Sequence, residues 1–183
     1  PKAGISEELD NIAAYVSSLS KTPDSPFRNS DGSLTAAAER GKVLFNKKSC
    51  FECHSGPEFT DSNYKVLHNV GTRSATSGQR MSDVLLGIDT PTLLGVWNTA
   101  PYLHDGSAAT LDDVLTSGNA GGVHGEMSDL SMSERNDLVQ YLLQLDENEV
   151  APAEQPLVTF SNVPGDIIAA ENESLLIDVA VSR

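Results

Sequence analysis

Cysteine is nearly absent: Cys50 and Cys53 are the only two in 183 residues. With no further thiol, a closed zinc site of cysteines has no material to form from. Positive charge is also scarce. Lys and Arg total 12 against 26 Asp and Glu, a formal charge of −14. Such a surface repels phosphate backbones and anionic membranes, which argues against nucleic-acid binding. It steers a partner that presents a cationic face. No apolar run approaches the roughly 18 residues of a membrane span, so no membrane insertion is expected. Aromatics make up only 5% of the chain, so the protein itself supplies few large flat groups to a core. The length suits one domain of ordinary size with appendages.

What is present begins with helical periodicity. Ile5, Leu9, Ile12, Val16 and Leu19 recur at helical spacing, so residues 5–19 form an amphipathic helix. Residues 21–33, rich in Pro, Ser, Asp, Asn and Gly, read as a linker or loop. Thr35 is a candidate N-cap for a helix through AAAERGKVLF, with Gly41 and Phe45 four apart on one face. Residues 55–98 show no long period. They read as irregular loops with short helical turns near Met81–Leu86. A loop that long in a compact domain wraps something. Thr110-x-x-Asp113 and Ser131-x-x-Glu134 are capping boxes. The second opens a helix with Leu138, Leu142 and Leu145 on one face and Tyr141 beside it. Beyond Asp146 an acidic linker leads to three short strand-like stretches, 157–160, 167–170 and 175–181. The pattern around Tyr15 in 9–19 parallels that around Tyr141 in 138–145.

Cys50-Phe51-Glu52-Cys53-His54 carries the chemistry. C-x-x-C-H is the attachment pattern of a c-type haem. Two thiols three apart meet the two vinyl groups on one porphyrin edge, and the next residue lies under the iron with a neutral imidazole. A thioredoxin-like redox pair needs a strand before the motif, whereas an Ala-rich helix leads in here. A zinc half-site needs further Cys or a closely spaced His pair, which the chain lacks. The expected cofactor is therefore one covalent haem c, a flat apolar body that supplements a core poor in aromatics. The candidate cofactor-binding residues are Cys50, Cys53, His54, His104 and Trp97, with His54 on the metal.

The stretch from Thr35 to Leu145 resembles class I cytochrome c modules. Those open on a helix bearing Gly and an aromatic four residues on, like Gly41 and Phe45, and close on a helix like 138–142 that crosses it at the glycine. Three further segments resemble the second haem domain of bacterial di-haem peroxidases: CHSGPEFTD at 53–61, HNVGT at 68–72 and DTPTLLGVWNTAPYLHDGSAATLDDV at 89–114. Those peroxidases need two haems, and this chain has one attachment motif. The resemblance therefore implies the electron-transferring half, with peroxidase or oxygenase chemistry as the alternative.

The resemblance also bears on the second axial ligand. Met81, Met127, Met132, His68, His104 and His124 are candidates. Class I modules place this ligand in the loop before the closing helix, which leaves His124 and Met127. The peroxidases carry a methionine near the position of 115–118, where this chain has none. The haem-containing rubber oxygenases resemble it with a Gly-His-type loop before an L-S-x-x-E helix, which favours His124, with Met127 the alternative. His104 and His68 are expected to support the haem rather than to ligate it, Trp97 to pack near its edge, and Met81 and Met132 to pack. Arg73 and Arg80 are read as solvated, with a propionate contact the alternative.

The fold expected is mainly α: a cytochrome c-like helical haem domain with long loops and a short β-rich C-terminal segment. Residues 1–33 form a helix and linker, 34–147 the haem domain and 148–183 a linker and the start of a β-sandwich. The function implied is electron transfer, as a module of a larger secreted or periplasmic protein with an export signal upstream. The expected partner is a redox protein, a copper monooxygenase or another haem domain.

Overall fold

The computed structural model describes residues 4–74, 77–80 and 83–150. Among these, four α-helices are joined by long loops with short 3-10 turns: α1 (Glu7–Ser18), α2 (Ala36–Lys47), α3 (Leu111–Leu115) and α4 (Met132–Leu142). Both expected capping boxes form. Thr110 Oγ1 accepts from Asp113 N–H and Ser131 Oγ from Glu134 N–H, while each partner carboxylate reaches back to the cap. Thr35 caps α2 by accepting from Ala38 N–H. These side chains satisfy amide groups that have no partner within the first turn.

The core forms where α2 crosses α4. Ala38, Leu44 and Phe45 of α2 meet Leu138, Tyr141 and Leu142 of α4, with Phe59, Val96, Leu111, Met127, Leu130 and Leu145 around them. Gly41 makes the crossing possible. A Cβ built on it would lie 2.0 Å from the Asp137 carbonyl oxygen and 2.8 Å from Tyr141 Cβ. Without that side chain the backbones approach closely, and Phe45 packs edge-on against Tyr141 with centroids 5.4 Å apart.

Residues 22–28 are loop, as their composition implies, but the loop is bound tightly to the other end of the domain. Ser25 N–H donates to Asp146 Oδ2 at 2.9 Å and its hydroxyl to the Leu143 carbonyl at 2.6 Å. The buried Arg28 guanidinium pairs with Asp146 at 2.9 Å and with Glu149 at 3.4 Å. This strap extends the packed unit on both sides of 34–147.

Three sequence expectations are corrected or bounded. The segment after Gly78 forms a short antiparallel pairing, Gln79 with Val84 and Arg80 with Asp83, rather than helical turns. Met132 does not pack: it is 78% exposed at the start of α4, on the face turned away from α2. The expected strands of 157–181, Met81 and the side chain of Arg80 lie outside the described residues. Among the described residues no helix is long and apolar enough to cross a membrane.

Helix α1 carries the predicted apolar stripe, yet Leu9, Ile12, Tyr15 and Val16 are all more than half exposed and the helix buries no residue. Serine at Leu9 or Tyr15 is therefore expected to shift stability by no more than about 0.5 kcal/mol. Urea unfolding of each variant measures this.

Candidate haem site

The attachment motif occupies one helical turn after α2. His54 N–H donates to the Cys50 carbonyl at 2.9 Å, so positions 50, 53 and 54 lie on one side of the turn. Both thiols are free and half-buried. Burial pushes the Cys50 thiol up to about 11. Cys53 also rises, first through burial and then through the nearby Asp61 and Glu52 charges.

His54 is oriented by the backbone. Its Nδ1–H donates to the Phe59 carbonyl at 3.2 Å, which leaves Nε2 with a free lone pair. Phe59 adopts φ 51°, a left-handed conformation that costs a non-glycine residue roughly 1–2 kcal/mol. Its fully buried ring packs edge-on to Phe45, centroids 6.2 Å apart, and holds that conformation against the cost. Burial pushes the His54 imidazole down to about 4, so the ring is neutral at ordinary pH, the form a metal binds.

His124 faces His54. Their ring centroids lie 6.3 Å apart. Two imidazoles on opposite sides of one metal, each with a metal–nitrogen bond of about 2.0–2.1 Å, put their centroids about 6.4 Å apart. The His124 Nδ1 is buried with no hydrogen-bond partner, and burial also pushes this imidazole down. The donor set and spacing fit a haem iron between the rings.

The loop that carries His124 is built for placement. Gly121, Gly122 and Gly125 have φ of +83°, +70° and +85°, conformations that L side chains rarely adopt. Asn119 clamps it: His124 N–H donates to Asn119 Oδ1 at 2.8 Å, and Asn119 Nδ2 donates to the Gly125 carbonyl at 2.7 Å. Asn119→Ala is expected to leave both backbone groups unpaired and to destabilise by about 1–3 kcal/mol in urea unfolding.

Met127 lies in the same loop, but its side chain belongs to the core and is 5% exposed. Trp97 is half-buried, with an Nε1–H that is buried and lacks an acceptor. His104 is exposed, with its ring nitrogens 3.2 Å from Thr72 Oγ1 and 2.9 Å from Ser77 Oγ. Arg73 donates to the Leu85 carbonyl rather than remaining solvated.

Asp61 escaped sequence reasoning. It is buried, and its Oδ2 accepts from His68 Nε2–H at 2.7 Å. No period links positions 61 and 68. The only sequence signal was their place in two neighbouring segments of the resemblance, FTD and HNVGT.

Residues 87–120 match the RoxA-like, cytochrome c-like family. Over 175 residues the chain is 34% identical to hydrazine synthase subunit gamma of Kuenenia stuttgartiensis, across 75% of this chain and 48% of that protein. It is 30% identical over 149 residues to the methylamine utilization protein MauG of Methylorubrum extorquens, across 73% of this chain and 40% of MauG. It is 33% identical over 123 residues to the cytochrome c peroxidase Ccp of Escherichia coli, across 58% of this chain and 26% of Ccp. A solved structure of Kuenenia stuttgartiensis hydrazine synthase, pressurized with xenon, superposes with a TM-score of 0.56 at 34% identity, over 68% of this chain and 51% of that one. The chain thus spans about half the length, or less, of these relatives. It contains a cytochrome c-like haem domain related to those of the peroxidases, MauG and hydrazine synthase subunit gamma.

Proposed function

We propose that this domain transfers electrons through one c-type haem, joined to Cys50 and Cys53 and held on the iron by His54 and His124. The observation that carries the reading is the 6.3 Å separation of two neutral imidazoles. If His54 and His124 both held the iron, no position would be left open for a substrate. What remains is electron exchange at the haem edge, the chemistry the group supplies when bound. The chain's own part is to hold both rings neutral, to fix His54 through the Phe59 carbonyl, and to cover the iron with the Asn119-clamped loop. Imidazole in place of a thioether would keep the potential low, so the domain would reduce acceptors of higher potential and need a donor of lower potential still.

The charge of −14 supports a redox partner with a cationic contact face, another haem domain or a copper monooxygenase. Covalent attachment supports a periplasmic or extracellular location. The exposed stripe of α1 and its likeness to α4 support α1 as the closing helix of an adjacent haem domain.

A second reading is peroxidase-type chemistry at an iron whose sixth ligand is displaced. One observation favours it: the chain is 33% identical over 123 residues to the cytochrome c peroxidase Ccp of Escherichia coli. The absorption spectrum of the ferric protein separates the two. Six-coordinate low-spin iron that binds cyanide slowly supports electron transfer. High-spin iron, or rapid cyanide binding, supports the enzyme. Haem that stays with the chain through acid–acetone extraction supports the covalent link, and haem that leaves refutes it.

A further inference from the structure

Val66, Leu67 and Leu86 are 45%, 36% and 75% exposed. They are far apart in sequence, and the backbone brings their segments together. His68 N–H donates to the Ile88 carbonyl at 2.9 Å, and Ile88 N–H to the His68 carbonyl at 2.7 Å. Gly87 lets the segments touch: a Cβ there would lie 2.8 Å from the Leu67 carbonyl carbon and 2.9 Å from the His68 nitrogen. Single apolar side chains at a surface are ordinary, but several side by side within a polar rim mark an interaction site.

The place of this face in the fold says what it serves. His68 bounds it, and His68 Nδ1 stands 3.8 Å from Cys53 Sγ while Asp61 holds the other ring nitrogen. The face therefore borders the edge of the site that carries Cys53, one of the two residues read as joining the haem. Electron exchange requires a partner close to that edge.

Charge selects the partner. Glu52, before Cys53, and Asp89, after Ile88, are exposed, against Lys65 as the one Lys or Arg in 50–68 and 85–89. The rim thus shares the sign of the whole chain, at −14. A second copy brings the same charge and is repelled. A phosphate backbone or an anionic lipid is repelled too. The complement is an apolar centre ringed by Lys or Arg.

We propose that Val66, Leu67 and Leu86 form the contact face for the electron acceptor, a redox protein whose own contact face is apolar at its centre and cationic at its rim. The inference rests on the electron-transfer reading and names the surface it uses. One electron leaves the domain at this edge and reduces the partner, and no bond forms or breaks.

The test uses the whole haem-loaded chain, reduced and mixed by stopped flow with oxidised mitochondrial cytochrome c, a basic redox protein, as the probe. The second-order rate of the unmodified chain is expected to fall as salt rises. Leu86→Lys and Val66→Lys are each expected to lower that rate about tenfold or more at low salt, and to flatten its salt dependence. Their absorption spectra are expected to stay unchanged. Val150→Lys makes the same change of charge at the strap end, where Val150 is 79% exposed, and is expected to change the rate less than twofold. Equal rates in Leu86→Lys, Val66→Lys and Val150→Lys overturn the inference, because the contact then lies elsewhere. So does a rate that does not fall with salt, and so does an altered spectrum in both lysine variants, which places the face against the haem. A chain that reduces ferricyanide but not cytochrome c overturns the inference and leaves electron transfer standing. A chain that reduces neither overturns the electron-transfer reading as well.

Discussion

His124→Ala is expected to convert the loaded protein from six-coordinate low-spin to five-coordinate high-spin iron, and to open it to carbon monoxide and cyanide. The reasoning starts from the loop. Asn119 ties the backbone at His124 and Gly125, and three positive-φ glycines let the chain turn there, so the loop backbone is held without help from the His124 ring. Alanine therefore removes the ligand and leaves the loop in place. Met127 cannot fill in cheaply. Its side chain is 5% exposed in the core beside Leu130 and Leu138, and moving it to the iron opens a cavity. Emptying a buried methionine position costs roughly 2–5 kcal/mol.

Met127→Ala is accordingly expected to destabilise by about that amount and to leave the absorption spectrum unchanged. The pair of variants thus exchanges effects: one alters the spectrum with little loss of stability, the other the reverse. Ferric and ferrous spectra, with urea unfolding of each loaded protein, measure both. If Met127→Ala changes the spectrum and His124→Ala does not, the ligand is the methionine, and the potential expected of the protein rises.

The parts of this molecule that were legible in the sequence are those decided over a few residues. A capping box joins positions three apart, so Thr110–Asp113 and Ser131–Glu134 were plain, as was the spacing of Cys50, Cys53 and His54. Gly41 and Phe45 were legible as one face because the helical period is fixed. The strap from Thr22 to Arg28 was not, because its meaning lies in Asp146 and Glu149, more than a hundred residues away. The Asp61–His68 pair was missed for a related reason: an irregular loop has no period from which to read a meeting of side chains. Met132 failed differently. Hydrophobicity said core, but its place at the start of α4 turns it to solvent, and one residue's polarity does not outweigh the face it occupies. Helix α1 is the converse: the stripe was read correctly, but periodicity says which face is apolar and not whether anything covers it.

Gly41→Ala is the sharpest test of the fold, because two effects oppose each other in sign. In an isolated helix, alanine is better than glycine by about 0.8–1.0 kcal/mol. At this crossing, the added Cβ meets the Asp137 carbonyl oxygen at 2.0 Å and Tyr141 Cβ at 2.8 Å. The first is backbone and the second the root of a fully buried side chain, so neither yields by a change of rotamer. The helices must part. Parting them loosens the packing of Phe45 on Tyr141 and the Arg40–Asp137 pair, whose two nitrogen–oxygen distances are both 2.7 Å. Overpacking of this kind typically costs about 1–3 kcal/mol and occasionally more, which reverses the propensity gain. Gly41→Ala is therefore expected to be less stable than the unmodified protein, and Gly41→Leu, with three more carbons at the same point, not to fold. A stabilised Gly41→Ala in thermal unfolding shows that propensity wins and that α2 and α4 do not meet at the glycine. A destabilised one shows that the missing side chain is what lets the two helices come close enough to enclose the site.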